Sequence, residues 1–345
     1  MSRLVRQLLI GFILLSLNSG CRQETTPETL RLAGQTMGTT WSVVLHPGSA
    51  GVDSVLLKQQ LQQRLDRINR LMSTYDPDSE VSRFNSQVNS EWFAISAETA
   101  EVIALSLDIS RLTEGAFDIS VGPLVELWGF GATQRAAQVP DANQVSEVLA
   151  LVGYRSLQLR MVPPAIRKQV QALRIDLSAV AKGYAVDALA EILEQQGFND
   201  YLLEIGGELR ISGQRGDATP WRIAIEKPLE GAREVAAIFP VTNTAMATSG
   251  NYRNFYLEKG QRYSHTIDPL SGRPARHKLA SVTVLDKTCA RADALATALM
   301  VMGEEKGRQF CEENQVAAYF IIHDKESMAV YESSAFLKML QEVAQ

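Results

Sequence analysis

From Leu157 onward the chain is a series of short β-rich runs broken by two helical patterns, and this ordering limits the fold more than any other feature. The runs expected as strands are Leu173–Leu177, Tyr201–Ile205, Leu209–Ser212, Arg222–Ile225, Val235–Val241, Asn254–Leu257 and Ser281–Leu285. The helical patterns cover Lys182–Gln196 and Ala292–Met302, with Gly197 and Gly303 standing where helices stop. Strands and helices do not alternate one by one, so a doubly wound parallel sheet is excluded. An α+β fold with antiparallel sheets and packed helices is expected.

The first half of the chain supplies more helix. A strand at Trp41–Leu45 precedes a pattern in which Val55, Leu61, Leu65, Ile68 and Met72 face a core. A second helix over Glu98–Leu112 turns Val102, Ile103 and Leu107 inward before Gly115 stops it. The polar stretch Thr133–Asn143 reads as a waist between lobes, and Pro140-Asp141 opens another short helix there. With 46% hydrophobic and 21% charged residues, the chain can build a large core, and disorder is excluded.

Residues 1–20 read as an export signal: Arg3 and Arg6 precede the apolar stretch Leu8–Leu17, and Ser19-Gly20 leads into Cys21. The stretch is short for a membrane span. A cysteine at that point is similar to a lipoprotein signal, in which Cys21 carries the lipid and residues 21–32 form a tether to a domain at 33–345; a cleaved soluble protein explains the same segment. Loss of the signal lowers the basic count from 34 to 32 against 39 acidic residues. That balance argues against a nucleic-acid surface. Beyond Cys21, only Cys289 and Cys311 remain; their spacing with His46, His265, His277 and His323 fits no zinc pattern, and both read as buried small residues.

No GxGxxG, Walker A or GxSxG motif is present, so the common nucleotide and hydrolase signatures fail. Three other segments carry chemistry. In Ala292–Thr297, Asp293 and Thr297 lie one helical turn apart and share a face. Their oxygens are hard ligands suited to Mg²⁺ beside phosphate, although a helix-stabilising aspartate and a packed threonine explain the same pair. In Ile175–Tyr184, small residues lead into a helix start whose N–H groups can bind a pyrophosphate, with Lys182 as countercharge. A plain connection with a solvated lysine is the other reading. In Ser264–Pro269, His265 can exchange a proton near neutral pH and Asp268 is near enough in sequence to orient it, while Asp-Pro and the following Ser271-Gly272 also spell a turn.

Together with these, Gln35–Thr39, Leu71–Tyr75, Gly115–Pro123 and Thr248–Tyr252 complete seven segments in the order found in the ApbE family of FAD:protein FMN transferases, which the sequence resembles over nearly all of the expected mature chain. The resemblance implies a two-lobed, T-fold-related architecture. It also implies Mg²⁺-dependent transfer of the FMN half of FAD, through its phosphate, to a threonine hydroxyl of a target protein, with release of AMP. The implied metal ligands are Asp293, Thr297 and the carbonyl of Ala179. FAD contacts carry over to Met37, Tyr75, Ala116, Phe117, Asp118, Asp176, Lys182 and Ile267. His265 is the expected base, with Asp268 orienting it and Glu208 in support. Some relatives carry a carboxylate where this chain has Ala296, from which weaker metal binding without nucleotide is expected. The implied partners are flavin-accepting subunits of Na⁺-translocating NADH:quinone reductase or Rnf-type complexes, met by a lipid-anchored enzyme on the periplasmic side of the inner membrane. Two rival readings use the same residues: an Mg²⁺-dependent FAD pyrophosphatase yielding FMN and AMP, and a non-enzymatic FAD-binding lipoprotein.

Overall fold

The structure, a computed structural model, describes residues 29–47, 51–131, 139–229, 231, 234–251, 255–324 and 327–343. The export signal, Cys21, residues 21–28, most of Thr133–Asn143, and Tyr252 lie outside these described residues. Eight strands form one antiparallel sheet whose spatial order is also its chain order: β1 (Leu30–Thr36), β2 (Thr39–Leu45), β3 (Tyr201–Ile205), β4 (Glu208–Ser212), β5 (Thr244–Gly250), β6 (Leu279–Asp286), β7 (Ala317–Asp324) and β8 (Ser327–Glu332). β1 begins within the segment expected as tether, so residues 30–32 belong to the sheet.

The connections between these strands carry everything else. Between β2 and β3 lie α1 (Ser54–Met72), α2 (Glu80–Ser86), α3 (Ala97–Leu112), α4 (Gly122–Leu127), α5 (Ala142–Leu149) and α6 (Ala181–Gln195). A hairpin of Trp221–Glu226 and Val235–Val241 separates β4 from β5, and a second hairpin, Phe255–Glu258 with Gln261–Ser264, separates β5 from β6. Next come α7 (Cys289–Asn314), between β6 and β7, and α8 (Ser334–Val343) at the end. The α+β, antiparallel expectation holds.

Both faces of the sheet are covered, which the period-two alternation of its strands makes possible. On β7, Ala318, Phe320 and Ile322 enter the main core with α1, α3, α6 and α7, while Ala317, Tyr319 and Ile321 face a second core capped by Phe336 of α8. A third, smaller cluster joins Leu124 of α4, Val145 of α5, Trp128, Tyr263 and Ile267. Asp141 caps α5 in a reciprocal box with Gln144, as Pro140-Asp141 led one to expect.

Three expectations need correction. Val55 lies on the first turn of α1 and is exposed; the buried stripe is Leu57, Leu61, Leu65, Ile68 and Met72. Leu173–Leu177 joins no sheet. Side chains satisfy its backbone instead: the Asn85 amide donates to the Ile175 carbonyl at 2.8 Å and accepts from the Ile175 N–H at 2.7 Å, and Lys168 Nζ donates to the Leu173 carbonyl at 2.9 Å. Finally, Gly303 breaks α7 without ending it, with φ +77 and ψ −177 and helix resuming to Asn314. A Cβ at Gly303 would meet the His277 ring at 2.9 Å, and His277 Nε2 donates to the Met300 carbonyl at 2.6 Å, so histidine fills the break.

The starts of α6 and α7 cross in direct backbone contact. A Cβ on Gly183 would fall 2.4 Å from the Cys289 carbonyl oxygen, so only glycine permits the approach. The residue before α7, Thr288, makes no side-chain cap. Asp187 of α6 does so from outside, its two carboxylate oxygens each accepting at 2.9 Å from the N–H groups of Cys289 and Ala290. Asp187→Ala should therefore lower stability by about 2 kcal/mol, the order of a lost cap over buried donors. Denaturant unfolding against Asp187→Asn, which keeps one acceptor and should lose less, checks this; an unchanged midpoint for the alanine variant would refute the capping role.

Candidate active site

A cavity of about 970 Å³ opens where the α6–α7 crossing meets the β3–β4 turn, the turn after α3 and the His265 segment. That volume is at the upper end for ligand pockets. Tyr75, Ala116, Phe117, Asp118, Asp176, Ala179, Lys182, His265, Ile267, Asp293 and Thr297 all line it, drawn from segments more than two hundred residues apart. Met37 and Asp268 do not. Met37, at φ +48 in the β1–β2 turn, packs against the main core, while the neighbouring Thr39 and Thr40 reach the cavity. Asp268 accepts from the Leu270 N–H at 2.9 Å through Oδ1, and its carbonyl accepts from Gly272 N–H at 2.9 Å, so it closes its own turn.

The deepest corner is built by the helix crossing. Asp293, 4% exposed, accepts from Gly183 N–H at 3.0 Å through Oδ2. Gly183 is the third residue of α6, so this N–H has no partner within the helix and Asp293 caps it. The Ala179 carbonyl has no backbone donor among the described residues; it lines the same cavity as Asp293 and Thr297, whose hydroxyl lies 3.4 Å from Ser249 Oγ. Part of the expected anion cradle at the start of α6 is already spent on the protein. Ser178 N–H donates to Asp176 Oδ1 at 2.8 Å, Val180 and Ala181 N–H to the Leu177 carbonyl at 3.0 and 2.8 Å, and Gly183 N–H to Asp293.

Lys182 also has a different place from the expected one. Its ammonium pairs with Glu208 Oε1, at the first residue of β4, and lies in the field of Asp293. Burial alone would lower its pKa, but the two carboxylates outweigh that and hold it protonated. Burial pushes both carboxyls upward, because two carboxylates share one ammonium away from water; Lys182 opposes the shift in each. Glu208 is 3% exposed, and its Oε2 lines the corner with no hydrogen-bond partner.

Elsewhere the roles divide. Asp118 spends its carboxylate on its own chain: Oδ1 accepts from Ser120 N–H at 2.7 Å and Oγ at 2.6 Å, and Oδ2 from Tyr154 N–H at 2.8 Å. Burial raises its pKa against these bonds. It is first a brace for the turn that presents Ala116 and Phe117, so the expectation of an acceptor aimed at ligand is reduced. Tyr75 is 69% exposed at the cavity wall, its phenol raised by partial burial and by Asp176 and Glu126. The His265 ring stands edge-on to Phe130, centroids 6.4 Å apart. Ala296, where some relatives carry a carboxylate, is fully buried in the main core and brings no charge to the cavity. Cys289 and Cys311 are free and buried, and burial pushes the Cys311 thiol up to about 12. Asn85 gave no sign in the sequence, being a lone asparagine on a two-turn helix; only its grip on Ile175 reveals its part in holding the Asp176 segment.

A family model described as ApbE matches residues 37–320. A protein of Vibrio cholerae named FAD:protein FMN transferase is 44% identical over 338 residues, covering 97% of this chain and 99% of that protein. Its namesake in Escherichia coli is 40% identical over 330 residues, covering 93% of each. Among solved structures, the flavin transferase ApbE from Vibrio cholerae superposes with a TM-score of 0.84 at 43% identity, covering 90% of this chain and 99% of that one. The apo form of the Pseudomonas stutzeri flavinyl transferase ApbE gives the same TM-score of 0.84 at 38% identity, covering 91% and 97%. With most of its length matched by the family model and its fold shared with these proteins, the chain belongs to the ApbE family.

Proposed function

We propose that this chain is an FAD:protein FMN transferase that moves the FMN half of FAD to a threonine hydroxyl of a target flavoprotein and releases AMP. The observation that carries the reading is the oxygen-lined corner formed by the α6–α7 crossing, in a cavity large enough for a dinucleotide and in a chain matched almost end to end by relatives bearing that name. The Asp293 carboxylate, Thr297 hydroxyl and Ala179 carbonyl are three hard oxygen donors, the set Mg²⁺ prefers, and the carbonyl has no backbone donor among the described residues. When bound, Mg²⁺ supplies charge neutralisation for the diphosphate.

The remaining steps fall to the chain's own residues. Phe117, Ile267 and Tyr75 offer apolar and aromatic surface to the flavin. His265 accepts the proton of the attacking threonine hydroxyl as a bond forms from its oxygen to the FMN phosphorus, and the bond from that phosphorus to the AMP oxygen breaks. Asp268 holds the turn that carries this segment. Most of the rate gain comes from alignment, because a phosphoryl transfer asks little covalent chemistry of the protein.

Among the described residues, no helix is long and apolar enough to cross a membrane. We place the chain on the periplasmic side of the inner membrane, exported by residues 1–20 and lipid-anchored at Cys21, acting on subunits of quinone-reductase or Rnf-type complexes. Sharing a membrane raises the encounter frequency of enzyme and target. Labelling with radioactive palmitate should mark the wild-type chain and not Cys21→Ala; equal labelling would refute the anchor.

Mixing the chain with FAD, Mg²⁺ and a threonine-bearing acceptor should yield a fluorescent acceptor band and AMP. AMP without that band would establish the pyrophosphatase, and neither product the FAD-binding lipoprotein. Asp293→Ala should abolish turnover. His265→Ala should lower kcat by about 10²-fold or more, the order supplied by a positioned base, with FAD binding nearly unchanged. Full activity in either variant removes that residue from the mechanism.

A further inference from the structure

Glu208 lines the cavity, with one carboxylate oxygen on Lys182 and the other buried without a hydrogen-bond partner. A buried acceptor without a donor is costly, and its position in a ligand cavity indicates where a donor arrives. Gly206, the first residue of the tight β3–β4 turn, is at φ +61, and a methyl group built on it would stand 3.5 Å from Glu208 Oε2, 3.3 Å from Thr39 Oγ1 and 2.9 Å from Thr39 Cγ2. Glycine thus keeps a side chain off the Glu208 oxygen, and a small shift of Thr39 would let a donor reach it. Lys182 touches Glu208 and feels Asp293, so a single lysine side chain separates this corner from the oxygens that would hold the metal.

We infer that Glu208 is a ligand-contacting residue, its Oε2 accepting a hydrogen bond from a sugar-type hydroxyl that lies within a few bonds of the dinucleotide's phosphates. This rests on the reading of the cavity as an FAD site. FAD carries such hydroxyls on both sides of its diphosphate, on the ribityl chain and on the adenosine ribose. The chemistry at Glu208 is the same for either, and the test separates them. The inference also explains why Lys182 is committed to protein carboxylates: it fixes Glu208 Oε1, so that Oε2 is held ready in one orientation.

The test couples a change in the protein to a change in the ligand. Full-length wild type, Glu208→Ala and Glu208→Gln are titrated, with Mg²⁺ present, with FAD and with two analogues, one lacking a ribityl hydroxyl and one lacking a ribose hydroxyl; flavin fluorescence reports binding. Wild type should bind one analogue about ten-fold more weakly than FAD, the order for a hydrogen bond to a charged group. That difference should vanish in Glu208→Ala and shrink in Glu208→Gln, which covers a failure of the alanine variant to fold. Any disturbance of Lys182 weakens FAD and the analogues alike and leaves their ratio unmoved, so it cannot imitate this result. Tight FAD binding by wild type with both analogues equal to it, or a ratio that survives both substitutions, overturns the role of Glu208 alone. Failure of wild type to bind FAD at all would overturn the functional reading beneath it.

Discussion

Where α6 and α7 begin, their backbones touch at Gly183 and Cys289, and the rest of the site follows from that contact. The approach brings Asp293 of α7 within reach of Gly183 N–H, one of the donors that the start of α6 leaves without a helical partner. One hydrogen bond thus caps α6 from the neighbouring helix. Asp187, from the same side of α6, closes the start of α7 and locks the crossing from its far side. The chain builds its deepest corner from helix ends turned toward each other, with side-chain carboxylates in the places where caps are usually local.

The electrostatics continue from this geometry. Two buried carboxylates, Asp293 and Glu208, share the single ammonium of Lys182; burial raises the pKa of both, the charge of Asp293 adds to the rise at Glu208, and Lys182 opposes it in each. Lys182 is already held by Glu208, so on the proposed reading a divalent cation would supply the countercharge for a diphosphate, and the walls would select what flanks it.

Those walls depend on the sheet. Because its strands follow one another in chain order, each long connection returns to the strand next door. The turn after α3, the β3–β4 turn and the His265 segment are therefore delivered to one cavity although they come from three separate connections. Asn85 and Lys168 show how a segment is held when no strand is free to pair with it: side-chain amide and ammonium groups bond the extended 173–177 backbone, and Asp176 is carried on a fixed rail.

Local patterns carried much of this in the sequence. The helices at Ser54–Met72 and Ala97–Leu112 follow from apolar spacing, and Gly197, at φ +83, stops its helix as expected. Tyr201–Ile205 and Val235–Val241 are strands to the residue. The seven ordered segments were enough for the family, and they named most of the residues that now line the cavity. What the sequence could not express is which polar groups are already spent. In one dimension Asp118 and Lys182 look like free ligand contacts and Asp268 like a partner for His265; in three, these groups also hold Ser120 and Tyr154, Glu208, and Leu270. Periodicity and turn chemistry are local and survive in the string of residues, whereas the availability of a carboxylate or an ammonium depends on partners from two to 110 residues away, which only the folded chain brings together.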